Sequence, residues 1–308
     1  MTIQVNRAVL THRVFTGISR AHLAELLCEL AEPWQAVVEG QRHTVRGGGR
    51  CRAAGAGARH RLVFVDRVIV TLVHLRHGLP HAVLGLLCGV DRWTVTRAVK
   101  KEVRSLLAAR GFAVPDRPGI RLRTLADVFA YAQAENVVLR LDATEAQVRR
   151  PAAHQSGRRA FVSGKKRQNT IKATVVADEH GRTLWAGNLC PGRMHDTTAI
   201  RSEGIDQLFQ QYPKVNVLLD DGYLGLRRDH PGKAHTPPRK PNEIAAPEVH
   251  EAWEEARHQH SSRRIPVEHI LAHPKRFKQL TRWTHRRNTL PETHPTLAGI
   301  VSNRTINT

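Results

Sequence analysis

The sequence predicts an all-α domain followed by an α/β domain. Three observations lead there. Apolar residues recur at helical spacing as far as Leu107. Past a stretch broken by Pro115, Pro118 and Gly119, β-branched runs take over. Two of these runs, Val137–Leu141 and Val215–Leu219, end in an aspartate, and short turns between them give three strands the form of an antiparallel meander. The predicted division is residues 1–114 helical, 115–134 a linker with a connecting helix, and 135–308 the α/β domain.

In the first domain Ile18, Leu23, Leu26, Leu27 and Leu30 keep a helical period, with Ser19 as cap and Trp34 packed beneath. Arg46–Arg61, rich in Gly and Arg, predicts an exposed basic loop that suits phosphate contact and an ordinary connector alike. Leu62–Leu75 is a second helical pattern. His81–Arg97 then has the form of a helix-turn-helix. Gly85 permits close helix approach, Gly89 makes the turn, Val90 and Val95 pack inward, and Asp91 caps the second helix. Its outward face then carries Arg92, Trp93, Thr94, Thr96, Arg97, Lys100 and Lys101, the cations and hydroxyls that phosphate and base-edge contacts need.

The same pattern also fits a plain three-helix bundle with no DNA role, and the charge favours DNA binding. Forty-eight Lys and Arg against 27 Asp and Glu leave a net +21, mostly as arginine, whose planar fork suits phosphate. Double-stranded DNA is the expected partner. The 4 cysteines lie far apart with no C-x-x-C pair, which argues against a zinc site or a disulfide framework and fits a reducing, cytoplasmic or nucleoid location. No apolar run reaches the roughly 18 residues of a membrane span, nor is there a signal-peptide core. His258 and His260 read as a solvated helix face rather than a metal site.

In the second domain, a helix over Thr124–Ala134 leads into the first acid-ended strand, where period-2 geometry puts Asp142 on one face with Arg140 and Val138. Thr170–Ala177 and Arg182–Leu189 are the next strands, joined by an Asp178–Gly181 turn. Asp196 is expected to cap one helix running to Gln211. The acid-ended pattern returns at Val215–Asp220, followed by Asp221-Gly222-Tyr223. From Glu248 a helical pattern carries Glu268, with Pro266 in a first turn and Pro274 breaking the helix beyond.

Asp142 and Asp220 on strand ends and Glu268 on the late helix can converge if the two strands are neighbours. Clustered hard oxygens are what Mg²⁺ or Mn²⁺ requires. Two such ions about 4 Å apart serve in-line phosphoryl displacement.

Five motifs stand in order: Leu141-Asp142-Ala-Thr-Glu145 with Arg149-Arg150-Pro151, Gly164-Lys165-Lys166, Pro191-Gly192-x-x-His195-Asp196, Asp220-Asp221-Gly222-Tyr223, and Arg264-x-x-Val267-Glu268-His269 with Lys275. Together they resemble the DDE transposases of bacterial insertion sequences akin to the Harbinger group, over most of the chain. The resemblance implies an RNase H-like catalytic core, a mixed sheet with three antiparallel strands followed by parallel ones, and metal-dependent cleavage and strand transfer of DNA. It implies Asp142, Asp220 and Glu268 as catalytic metal ligands for a pair of Mg²⁺ or Mn²⁺ ions, and a homodimer on DNA. It ranks Asp221 below Asp220 and gives His195 and Asp196 a structural or auxiliary part. Lys165, Lys166, Arg264 and Lys275 are candidates for holding DNA phosphates. The competing reading is a helix-turn-helix regulator that kept the fold and lost the chemistry; a nuclease that cuts without joining is a third.

Overall fold

A computed structural model of the chain describes residues 6–49, 61–114, 117, 119–152, 157–272, 274–285 and 290–304. The centre of the predicted Gly/Arg loop, residues 50–60, lies outside them. Two compact units form. The first is the N-terminal part through Arg110 together with Arg276–Gln279, and the second begins at Gly111.

In the helical unit, two single turns precede α1 (Arg20–Arg46). Ser19 Oγ accepts from His22 N at 3.1 Å, as its place before the apolar run predicts. The helix does not stop near Leu30. It continues through Pro33, so Trp34 belongs to α1 itself and stacks on Phe64 with ring centroids 4.9 Å apart. Next, α2 (Phe64–His77) is the central helix, with Val68, Ile69, Leu72, Val73 and Leu75 fully buried. From the second segment of the unit, Phe277 fills the space at Gly17, where a Cβ would fall 2.7 Å from its ring, and the Arg76 guanidinium lies 5.5 Å above it.

The helix-turn-helix follows as α3 (His81–Cys88) and α4 (Arg92–Arg97), and α4 runs through a π-helical turn (Ala98–Val103) into α5 (Arg104–Ala109). Gly89 ends α3 at φ +64°, and a Cβ on Gly85 would lie 2.6 Å from the Val90 carbonyl oxygen. Both glycines are therefore dictated by backbone geometry. Two details depart from expectation. Asp91 stands at the cap position but its side chain makes no capping bond, and Val90 is only half-buried while Val95 is fully so. A buried ion pair between Arg67 and Glu102 joins α2 to the π-helical turn.

The second unit opens with a small antiparallel pair, β1 (Phe112–Ala113) at the end of the predicted helical domain and β2 (Arg121–Leu122) in the predicted linker. Then α6 (Leu125–Ala134) begins at a capping box in which Asp127 N donates to Thr124 Oγ1 at 3.1 Å and Thr124 N to Asp127 Oδ2 at 2.8 Å. The main sheet contains β3 (Leu139–Val148), β4 (Thr170–Ala177), β5 (Thr183–Ala186), β7 (Val217–Leu218) and β8 (Ala234–His235) in the order β5-β4-β3-β7-β8. The first three are antiparallel and β3, β7 and β8 are parallel, the mixed RNase H-like arrangement. Short β6 (Cys190–Pro191) adds to β4, and β9 (Arg282–Trp283) adds parallel to β3.

Alternation along β3 and β7 sorts the two faces. Leu139, Leu141, Val217 and Leu219 join the core made with Val128 and Phe129 of α6 and with α7 (Asp196–Ser202) and α8 (Ile205–Gln211). The intervening residue Arg140 points the other way, its Nε donating to the Arg263 carbonyl of α9 (Pro247–Ala272) at 2.6 Å. Beyond lies α10 (Leu290–Arg304), whose Ser302 Oγ donates to Thr183 O at 2.6 Å.

The expected single helix from Asp196 to Gln211 is two, because Gly204 at φ +85° turns the chain between α7 and α8. Pro266 lies well inside the 26-residue α9 rather than in a first turn. Pro274 begins a separate 3-10 turn after α9 has ended at Ala272, so it does not kink the helix at Glu268. His260 is half-buried and within 3.2 Å of the His235 carbonyl, so only His258 is the solvated residue expected of that pair. Among the described residues no helix is long and apolar enough to cross a membrane.

Candidate active site

Strand pairing places the first two acids. Leu139 lies opposite Val217 and Arg140 opposite Leu218, and carrying this parallel register forward sets Asp142 level with Asp220. Asp142 is not at a strand end: β3 runs on to Val148 because β4 pairs with it from Arg140 to Gln147. It is β7 that ends there, and Asp220 takes up the cap of a 3-10 turn, with Oδ1 accepting from Gly222 N at 2.9 Å. Asp142 Oδ1 accepts from Ala143 N at 2.7 Å, and its Oδ2 from Arg264 Nη2 of α9 at 3.3 Å.

Burial pushes the Asp142 carboxyl up to about 6, with Arg264 and the Ala143 N–H acting against the rise and Asp220 and Asp196 adding to it. Asp220 is raised chiefly by burial as well, opposed first by Arg264 and reinforced by Asp196 and Asp221. Asp221 itself is exposed. Two half-buried acids side by side with one arginine carry a charge that favours a cation.

Glu268 lies in α9 one turn beyond Arg264, but its side chain is outside the described residues. Among the described residues no group of three His, Cys, Asp or Glu side chains is arranged to hold a metal ion. The donor set of Asp142 and Asp220 still fits a hard divalent ion. The fully buried Tyr223 hydroxyl, which has no hydrogen-bond partner, lies in the field of the same acids and offers a further polar group.

Lys165 and Lys166 are exposed on the turn before β4, with Lys166 Nζ 3.4 Å from the Glu145 carbonyl oxygen. Lys275 is lowered by partial burial first, then by Lys166 and Lys165, against the opposite pull of Asp142 and Glu145. These three lysines therefore share one electrostatic neighbourhood with the acids. Arg92, Trp93, Arg97, Lys100 and Lys101 are exposed on the helix-turn-helix, and Trp93 is 69% exposed beneath the Arg92 guanidinium. Thr94 and Thr96 are half-buried, and the Thr96 hydroxyl is engaged by His81 Nδ1 at 2.8 Å and by the Arg92 carbonyl at 2.9 Å.

Sequence reasoning missed one participant, Lys172, and placed the helix cap one residue too late. His195, not Asp196, caps α7, its Nδ1 accepting from Thr197 N at 3.4 Å. Asp196 instead binds Lys172 Nζ at 2.7 Å. The signal was present in β4, where one lysine interrupts a run of Thr, Ile, Ala and Val that is buried throughout.

The model of the DDE superfamily endonuclease family matches residues 141–303, and that of the helix-turn-helix of DDE superfamily endonucleases matches residues 60–112. The chain belongs to the DDE superfamily endonucleases, as a transposase-like member with its own helix-turn-helix. It is similar to the probable transposase for insertion sequence element IS702 of Microchaete diplosiphon, at 27% identity over 234 residues that cover 75% of this chain and 78% of the relative. Among solved structures, the Mos1 transposase paired-end complex with left transposon end aligns over 78% of this chain and 84% of its own at 9% identity and TM-score 0.20. The Mos1 mariner paired end complex with Mn aligns over 89% and 95% at 9% identity and TM-score 0.19.

Proposed function

We propose that the protein is a DNA transposase that binds the terminal inverted repeats of its own element and catalyses metal-dependent strand cleavage and strand transfer. The observation that carries this reading is the placement of Asp142 and Asp220 level on neighbouring parallel strands, both raised by burial. Asp142, Asp220 and Glu268 would hold Mg²⁺ or Mn²⁺, as a pair of ions that activates the attacking oxygen and stabilises the leaving one.

The chain's own residues supply the rest. Arg264 offsets the charge of the acids and, with Lys165, Lys166 and Lys275, holds DNA phosphates beside them. Arg92, Trp93, Arg97, Lys100 and Lys101 bind the duplex from the helix-turn-helix, with Thr94 and Thr96 at its partly covered edge. Joining two element ends requires two copies of the site, so a homodimer on DNA is the expected assembly.

The test is cleavage of labelled duplex carrying the sequences that flank the gene, with Mg²⁺ or Mn²⁺. Wild type is expected to cut at the element boundary and to join the freed 3′ end to a second DNA. Asp142→Ala, Asp220→Ala and Glu268→Ala are expected to bind and not cut. Binding without cutting by wild type replaces this reading with the regulator, and cutting without joining replaces it with the nuclease.

A further inference from the structure

Lys172 is out of place by hydrophobic patterning. It lies in β4 opposite Glu145, is 7% exposed, and brings an ammonium group into a strand otherwise free of charge. A buried cation is tolerated only when paired. Glu145 is not the close partner: at 3.9 Å from Lys172 Nζ, its oxygens are engaged by Ser163 Oγ at 3.2 Å and Thr170 Oγ1 at 3.1 Å. The close partner is Asp196, whose Oδ1 lies 2.7 Å from Nζ.

That bond leaves Asp196 Oδ2 with no donor among the described residues, and it faces the acid pair. A Cβ on Gly222 would lie 3.2 Å from Asp196 Oδ2 and 3.0 Å from Asp220 Oδ1, so oxygens of two carboxylates flank one glycine. A link that only tied α7 to β4 gives no reason to direct the second oxygen at another acid. The Tyr223 hydroxyl is an independent sign: wholly buried and without a partner, it lies within the field of Asp196, Asp142 and Asp220. A buried hydroxyl in that state calls for a polar partner.

We propose that Asp196 is a positioning residue of the metal site, aimed by Lys172 so that its free oxygen, with the Tyr223 hydroxyl, holds the hydration shell of a divalent cation carried by Asp142 and Asp220. This rests on the reading of those two acids as metal ligands. Lys172 matters because it holds Asp196 in place and offsets part of its charge, the remainder of which still adds to the rise of Asp142 and Asp220. Such outer partners fix the orientation of the inner ligands and of the waters the ion retains, which Mg²⁺ gives up reluctantly.

Mn²⁺ binding to the full chain, read by the loss of the free-ion electron paramagnetic resonance signal, tests the proposal without DNA or turnover. Asp196→Asn keeps the shape and one oxygen for Lys172, and is expected to weaken Mn²⁺ by roughly 10- to 100-fold. Lys172→Met is expected to do the same and Lys172→Arg to recover part of the loss. Asp196→Asn with wild-type affinity overturns the proposal. If Asp142→Asn and Asp220→Asn lose Mn²⁺ while Asp196→Asn does not, it fails alone; if none of the three changes affinity, the metal reading falls with it. Tyr223→Phe, which removes a single oxygen, decides the matter should Asp196→Asn not fold: weaker binding supports the proposal and unchanged binding overturns it.

Discussion

Replacing Asp142 by asparagine is expected to stabilise the metal-free protein at alkaline pH and to change it little in acid. In the unfolded chain this carboxyl titrates near 3.8, and in the folded protein at about 6, because burial outweighs the help of Arg264 and the Ala143 N–H. Below about pH 4 both states hold the proton and the site costs nothing. Between 4 and 6 the unfolded chain ionises first, so stability falls as pH rises, and above 6 the full cost is present. At about 1.4 kcal/mol per pH unit the rise corresponds to about 3 kcal/mol. The side chain is 18% exposed, so solvent screening takes away little of this. Urea denaturation in EDTA at pH 4.5 and pH 8, wild type against Asp142→Asn, measures the difference directly. The variant is expected to be more stable by about 3 kcal/mol at pH 8, and by much less at pH 4.5. An advantage that is absent at pH 8, or equal at both values, would refute the account of the buried acid. Groups away from the site titrate alike in both proteins, so subtracting one curve from the other isolates Asp142 together with the neighbours coupled to it.

His294 should show the opposite dependence. Burial lowers it from 6.5 to about 4, so it folds neutral, and stability is lost as pH falls from 6.5 towards 4, by about 3 kcal/mol in all; His294→Gln is expected to flatten that loss in acid denaturation. Gly85→Ala sets a methyl 2.6 Å from the Val90 carbonyl oxygen and is expected to cost about 1–3 kcal/mol, seen as a lower melting temperature with weakened DNA binding, whereas a wild-type melt would contradict the close approach. Trp93→Ala removes a ring that is 69% exposed, so it should leave the melt unchanged and weaken binding to the element ends about tenfold. Arg97→Ala and Lys100→Ala should each lower the slope of log affinity against log salt by about one.

Those elements whose signal is local were legible in the sequence. Apolar runs ending at Asp142 and Asp220 showed two core strands, the run from Thr124 to Ala134 read as a helix, and Gly85 and Gly89 marked the helix-turn-helix. What escaped depends on partners distant in the chain. The polar segment Thr144–Gln147 remains strand because β4 pairs with it and β9 joins at Gln147, and nothing within the segment announces either partner. Pro266 stays in a helix that neighbouring β3 and β4 help to hold, which helix propensity alone would not allow. The Lys172–Asp196 pair joins residues 24 apart, and either side chain alone reads as surface charge.

The central claim is that Asp142 and Asp220 form one site, and single-turnover cleavage of element-end DNA by Asp142→Asn, Asp220→Asn and the double variant tests it most directly. Groups that act as a unit are non-additive. The account predicts that each single variant cuts at the residual rate and that the double variant is no slower than either. Losses that multiply in the double variant, or a single variant that cuts at the wild-type rate, would contradict it.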